Sequence, residues 1–295
     1  MTHGGHSGGW ISGALSCCRS GAIIGQRRLL TATCVRLSSL VIAAVFGSFS
    51  LDAGRVDAAA IVAAGALASA LVTEVYLLTV RPDRQWYEAR AAAESAKTLA
   101  WRYLVGGEPF GCDARDDQSV DLLLLRRFSE ITGGIHSFAP IPTLEEECQV
   151  TAMMRSIRAL SLDERKQRYM NGRINEQRVW YIVKARYHER RAAQWSVAFA
   201  AMEAVGLIAA VLNATQVVNL DLPGIVGALG AAGIAWLQTR QHQQLATSYS
   251  IAALELGDIV SRAEWPRTEP EWAHFVDESE EAISRETMLW RGSRS

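Results

Sequence analysis

The sequence contains no CxxC pair, and its five cysteines (Cys17, Cys18, Cys34, Cys112 and Cys148) are odd in number. Neither a disulfide framework nor a zinc site is expected, and a reducing compartment fits better. P-loop, GxSxG, HExxH and dinucleotide-binding glycine patterns are all missing, which removes the common phosphate-handling and hydrolytic classes. The formal net charge is −1, so the molecule as a whole is not built to bind a polyanion, and no nucleic-acid partner is expected. The N-terminus lacks the positive start and apolar core of a signal peptide. His136, His188, His242 and His274 are scattered singly and read as surface histidines. His3, His6 and the Cys17–Cys18 pair sit in a Gly/Ser-rich stretch with nothing to hold a metal geometry. No catalytic constellation can be assembled. The expectation is a protein that is not an enzyme and carries no metal or cofactor.

What the sequence does have is apolar runs. Leu37–Leu51 is 15 residues without a charge, and Ala58–Thr73 is 16, with Asp52, Gly54, Arg55 and Asp57 in the turn between them. Glu74 interrupts the second run before Val75–Val80. Trp195–Leu212 is broken only by Glu203, and Leu222–Thr239 holds 18 residues with no charge. A helix needs about 20 residues to cross a hydrocarbon core. The first run reaches that length if it extends back through Thr31, with Arg36 snorkelling to the headgroups. The runs form two hairpins, at about 34–80 and 192–239.

Basic residues orient them. Arg27, Arg28 and Arg36 precede the first run, and Arg81 and Arg84 follow the second. Arg186, Arg190 and Arg191 precede the third, and Arg240 follows the fourth. The first turn holds only Arg55, and the second turn has no basic residue. By the positive-inside rule both termini and the central region are cytoplasmic. Gly227, Ala231 and Ala235 place a small residue every fourth position of the last run, a spacing that lets helices approach closely, within the chain or between subunits. Glu74 and Glu203 are carboxylates in or beside hydrocarbon-length segments, which makes them candidates for lining a pore or polar seam.

Beyond the second run the composition changes abruptly. Trp86, Tyr87, Arg90, Glu94, Lys97 and Trp101 recur at helical spacing before Gly106–Gly107. An aromatic body with a polar tip suits the headgroup level, and Arg90 can pair with Glu94 one turn on. The pattern reads as a helix that leaves the membrane and becomes a docking stripe. Leu122–Ile131 is a short helix between an acid-rich segment, 113–121, and a proline-containing one, 139–147. A second helix runs from about Leu162 to Arg191 into the third run. From Arg165 to Arg191 there are nine basic residues against two acidic ones; from Glu255 to Glu286 there are ten acidic against three basic. These segments are complements, so the C-terminal helices are expected to pack on the basic helix or on its copy in a neighbour.

Two blocks of this sequence resemble a known family. Trp86, Tyr87, Arg90, Glu94, Trp101, Arg102, Tyr103, Pro109 and Phe110 look like its W-Y-x-x-R-x-x-x-E…W-R-Y…P-F block. Tyr169, Arg173, Ile174, Gln177, Trp180, Tyr181 and Lys184 look like its Y-x-x-x-R-I-x-x-Q-x-x-W-Y-x-x-K block. Tyr249, Glu255, Glu280, Ile283, Glu286 and Trp290 look like its C-terminal segment. The family is SLATT, the SMODS- and SLOG-associating two-transmembrane effector domains of bacteria. The resemblance covers about residues 30 to 291 as two tandem units. It implies a membrane effector of bacterial conflict systems that forms pores or disrupts the inner membrane once a sensor or a nucleotide-signalling partner acts; the expected form is a homo-oligomer.

The expected architecture is all-α: two transmembrane hairpins and long cytoplasmic amphipathic helices. Residues 1–29 form a flexible tail, 30–138 a first SLATT-like unit, 139–161 a linker and 162–295 a second unit. The other reading of the same features is a membrane-anchored scaffold or ligand-sensing module with no conducting path.

Overall fold

The computed structural model describes residues 13–53, 56–112, 117–133, 150–215 and 221–292. Ten α-helices appear among them: α1 (Gly13–Gly47), α2 (Ala58–Val80), α3 (Pro82–Val105), α4 (Asp117–Gly133), α5 (Ala152–Arg158), α6 (Leu162–Tyr169), α7 (Glu176–Ala214), α8 (Leu222–Arg240), α9 (His242–Arg262) and α10 (Glu269–Gly292). A π-helical turn, Met170–Asn175, joins α6 to α7. Two-residue strands β1 (Asp52–Ala53) and β2 (Val56–Asp57) pair antiparallel between α1 and α2. The expected helix at 122–131 lies inside α4. The first turns of α1 fall in the segment read as a tail; His3 and His6 lie outside the described residues, as does the expected linker 139–161 up to residue 149, and α5 occupies much of the remainder.

The helices separate into two compact units. The hairpin unit is Gln26–Pro82 with Arg186–Ala246, and the polar unit is Met1–Gly25 with Asp83–Ala185 and Thr247–Ser295.

In the hairpin unit the sequence builds helices from Ala, Val, Leu and Ile and caps them from the turns. The Asp57 carboxylate accepts from the backbone N–H groups of Ala59 (2.9 Å) and Leu51 (3.0 Å), closing the first turn onto the start of α2. The Asp221 carboxylate accepts from Gly224 N–H at 3.0 Å at the start of α8. Aliphatic side chains face outward: Leu71, Val72, Val197 and Leu207 are each about two-thirds exposed. A water-soluble helix pair would bury these groups; a bilayer solvates them. Among the described residues four helical segments are long and apolar enough to cross a membrane, so this is a multi-pass all-α membrane protein.

Each hairpin leaves its apolar segment through a left-handed residue. Arg81 (φ 45°) ends α2 and Gln241 (φ 48°) ends α8; their backbone N–H groups bond Leu77 O at 3.2 Å and Leu237 O at 2.8 Å. Among the described residues no other non-glycine has positive φ. This is the αL termination that glycine usually supplies. Left-handed strain for a side chain with Cβ is about 1–2 kcal/mol, while glycine's extra freedom in the unfolded chain costs about 0.5–1 kcal/mol. Gln241→Gly is therefore expected to stabilise the protein by up to about 1 kcal/mol, seen as a higher unfolding temperature in detergent. A lower temperature would show that the Gln241 side chain supports the junction.

The polar unit is the inverse of the hairpins. Leu104, Val105, Phe110, Val120, Leu124 and Trp272 are fully buried, and the charged residues of α3, α6 and α10 lie around them. Helix α3 ends at Gly106, whose φ of +75° favours glycine and whose added Cβ would run into Arg165 and Cys112, followed by Gly107. A methyl group at Gly107 would collide with Val276, so the α3 terminus lies directly against α10. Gly107 N–H donates to Arg102 O at 2.8 Å and Glu108 N–H to Ala273 O at 3.1 Å, tying the loop to both helices.

Candidate functional site

A helix end exposes carbonyls that need partners. At the end of α3 those partners are guanidinium groups, which also complement the negative end of the helix dipole. Arg158 Nη1 donates to Tyr103 O (3.0 Å) and Phe110 O (2.6 Å), and its Nη2 to Gly111 O (3.0 Å). Arg165 Nη1 donates to Val105 O at 2.8 Å, and the Trp272 indole N–H donates to the same oxygen at 2.8 Å. Arg165 continues to Glu269, so α10 closes over the end of α3.

One turn deeper lies a wholly buried ionic cluster. Arg173, in the π-turn, meets Glu280 of α10 with Nε–Oε1 at 2.9 Å and Nη2–Oε2 at 2.7 Å. The Tyr169 hydroxyl donates to Glu280 Oε1 at 3.1 Å, and the Thr98 hydroxyl donates to Oε2 at 2.9 Å. Glu280 thus accepts from three helical segments at once. Burial drives the Tyr169 phenol well above its usual range, and the neighbouring carboxylate adds to that. Burial opposes the charge on Arg173, yet Glu280 outweighs it and holds the guanidinium more firmly protonated than usual. Lys97, on the same side of α3, is pushed down by burial and then by Arg173; its Nζ donates to Gln177 Oε1 at 3.3 Å.

The two aromatic–arginine blocks meet here. Trp101 is 4% exposed and lies edge-on to Tyr169 at 6.0 Å between centroids; Gly172 in the π-turn gives its ring room. Arg102 pairs with Asp277 at 2.7 Å. The Tyr103 hydroxyl donates to Asp121 Oδ1 at 2.5 Å, and burial followed by that bond raises its pKa. Phe110 is fully buried and edge-on to Tyr103, next to Pro109. Trp180 and Tyr181 both contact the Tyr249 ring of α9, at 5.3 and 5.7 Å, and Lys184 sits over Trp180 at 5.9 Å. Trp86 and Tyr87 touch each other at 4.5 Å, and Arg90 and Glu94 are half-buried farther along α3. Within the chain Lys97 and Trp101 of the stripe meet Gln177 and the Tyr169–Gly172 turn, while Arg102 meets α10 and Trp180 and Tyr181 meet α9. The expected match of the basic and acidic segments takes the form of Arg165–Glu269 and Arg173–Glu280 within one chain.

The carboxylates of the hairpins are placed differently. Glu74 pairs with Arg36 at 2.7 Å across the first hairpin, three residues along α1 from a Ser39–Ser69 hydroxyl contact of 3.2 Å. Glu203 is exposed on α7, and no described residue forms an ion pair or hydrogen bond with its side chain. The α7–α8 seam passes it by. A Cβ at Gly233 would lie 2.9 Å from Phe199, one at Gly230 3.4 Å from Met202 and one at Gly206 3.2 Å from Val226. Gly227 and Ala231 are exposed and Ala235 is half-exposed, so within the chain the close approach uses Gly230 and Gly233 instead. No group of three or more metal-ligating side chains occurs among the described residues.

Two apolar hairpins, each continuous with charged helices that pack around a core of their own, define a multi-pass helical membrane protein. The family described as SMODS and SLOG-associating 2TM effector domain 3 matches residues 18–166, and the related domain 1 matches residues 169–290. The chain belongs to the SLATT family, as a tandem of two such domains. The two matches abut between Lys166 and Tyr169, inside continuous helix, and both domains contribute helices to each compact unit. No curated protein and no solved structure matches the chain.

Sequence reasoning missed Arg158 and Trp272. Arg158 stands outside the basic block, and Trp272 is one of several aromatics among the C-terminal acids, with Trp265 and Phe275 close by; only the need to cap α3 reveals either.

Proposed function

We propose that this protein is an inner-membrane effector that oligomerises and permeabilises the bilayer, with both termini in the cytoplasm and no catalytic step of its own. The trigger in this reading is a partner that senses infection or makes a nucleotide signal; the family's description as effector domains associated with SMODS and SLOG supports it. The observation that carries the reading is Glu203. A carboxylate at mid-span costs on the order of 2.5–3.5 kcal/mol on insertion scales, so such residues face a bundle interior or water. Among the described residues Glu203 is exposed and has no ion-pair or hydrogen-bond partner, so the chain itself gives it no polar interior. Subunit association would supply one, gathering Glu203 from several copies around an aqueous path. Glu74 differs because Arg36 already neutralises it, which suits a seam within the hairpin.

The test is ion flux through liposomes beside crosslinked oligomer size. Glu203→Gln is expected to leave assembly unchanged and to lower cation flux and toxicity on overexpression. Unchanged flux with unchanged assembly would remove Glu203 from the path. Absence of flux from the unaltered protein under every activating condition would favour a membrane-anchored scaffold.

A further inference from the structure

The arginines of this chain differ in how they are held. In the polar unit Arg102, Arg155, Arg165 and Arg173 are paired with carboxylates, and Arg158 with backbone carbonyls. At the open ends of the hairpins, away from the turns, they are not. The side chains of Arg27, Arg28, Arg81, Arg186 and Arg190 are exposed, and none has an ion pair or hydrogen bond among the described residues.

The packing fixes where they stand. Arg36 meets Glu74 and Ser39 meets Ser69, so α1 and α2 are antiparallel and Arg27 and Arg28 fall beside Arg81. The same holds in the second hairpin, where Phe199 meets Gly233 and Met202 meets Gly230, bringing Arg190 and Arg191 to the level of Arg240. Arg191 and Arg240 lie over the rings of Tyr187 and Trp236, each at 5.5 Å. Glu189 is the one acidic residue in 186–191. The opposite ends carry Asp52, Asp57 and Asp221 with Arg55 alone against them.

We propose that the open ends of the hairpins form an arginine collar that docks the phosphates of acidic phospholipid headgroups. At this depth a membrane presents phosphates, and a guanidinium binds phosphate through two parallel N–H bonds where an ammonium offers a point charge. The rings of Tyr187 and Trp236 help to hold the Arg191 and Arg240 guanidinium groups by cation–π attraction. The second hairpin, with Arg186, Arg190, Arg191 and Arg240, is the stronger half. The proposal does not depend on pore formation: a scaffold with this collar would bind the same lipids.

The experiment uses the full chain in detergent, with phosphatidylglycerol or phosphatidylcholine added, at low and high salt. Unfolding temperature and the lipids retained in native mass spectra are the readouts. The unaltered protein is expected to be raised by phosphatidylglycerol, more so at low salt, and to retain it. Arg186→Gln, Arg190→Gln and Arg191→Gln combined should bind it on the order of a hundredfold more weakly, near fivefold per charge. Its unfolding temperature in phosphatidylcholine should match the unaltered protein's, which shows that it folds. The matching triple change to lysine keeps the charge and loses the fork; it should recover only a minor part of the binding. Full recovery by lysine, or equal stabilisation by phosphatidylcholine, would overturn the docking site and leave diffuse attraction only. The Arg27→Gln, Arg28→Gln pair gives the same reading on the first hairpin should the triple variant fail to fold.

Discussion

Glu280→Ala is expected to cost about 3–5 kcal/mol of unfolding free energy, the range for removing one partner of a buried ion pair. Both members of the pair are fully buried, so no water can take the lost partner's place. The substitution strands the Arg173 guanidinium and removes the acceptor for the Tyr169 and Thr98 hydroxyls. A net stability of about 5–15 kcal/mol is usual for a whole domain, so the polar unit should lose its cooperative transition near room temperature. Denaturant unfolding in detergent, followed by tryptophan fluorescence, measures it. The companion is Arg173→Met with Glu280→Leu, which removes both charges together. It should recover most of the loss, since apolar replacement of a buried pair is often neutral or stabilising. A single Glu280→Ala change that costs under about 1 kcal/mol would mean that water reaches the cluster.

Trp272→Ala should be comparably severe, about 3–5 kcal/mol, for a different reason. The side chain is fully buried. It stacks on Phe275 at 5.4 Å, meets Tyr169 edge-on at 5.7 Å and lies under the Lys166 ammonium at 5.8 Å. Its removal opens a cavity where α3, α6 and α10 converge. Trp272→Phe keeps most of the volume and loses the bond to Val105 O, an oxygen that still receives Arg165. That change should cost only about 1–2 kcal/mol, a net hydrogen bond plus a small packing defect. Equal losses for the two variants would put the hydrogen bond, not the cavity, in charge.

The hairpins were legible in the sequence because hydrocarbon demands a composition, and 18 uncharged residues satisfy few other environments. The attraction between the basic helix and the C-terminal acids was legible as a sum of charges. Which acid meets which base was not. Glu280 is one of ten acids, and its choice depends on the rotation of α10, which Trp272 and the cap of α3 fix. The inward turn of Trp101 was hidden for a similar reason. Its partner, Gly172, sits in a π-turn, where the extra residue breaks the 3.6 period that a sequence reading carries along the helix. The membrane seam shows a further limit. Gly227–Ala231–Ala235 and Val226–Gly230–Gly233 are both rows of small or branched residues one step apart on α8. Only the bulk of Phe199 and Met202 opposite decides that the second row faces α7.

The core of the polar unit is closed by contacts between residues 107 to 182 positions apart, among them Trp272 to Val105 and Glu280 to Thr98. Translation runs at about 5–20 residues per second, so α3 waits many seconds for the helix that completes it. Both apolar hairpins have left the ribosome by then. The helix that fastens the polar unit is thus made after both hairpins, and a nascent chain that has not reached it holds its membrane segments without that fastening. Order of synthesis makes α10 a quality check: only a chain extended through it possesses Glu280 and Trp272, and only such a chain can cover the end of α3.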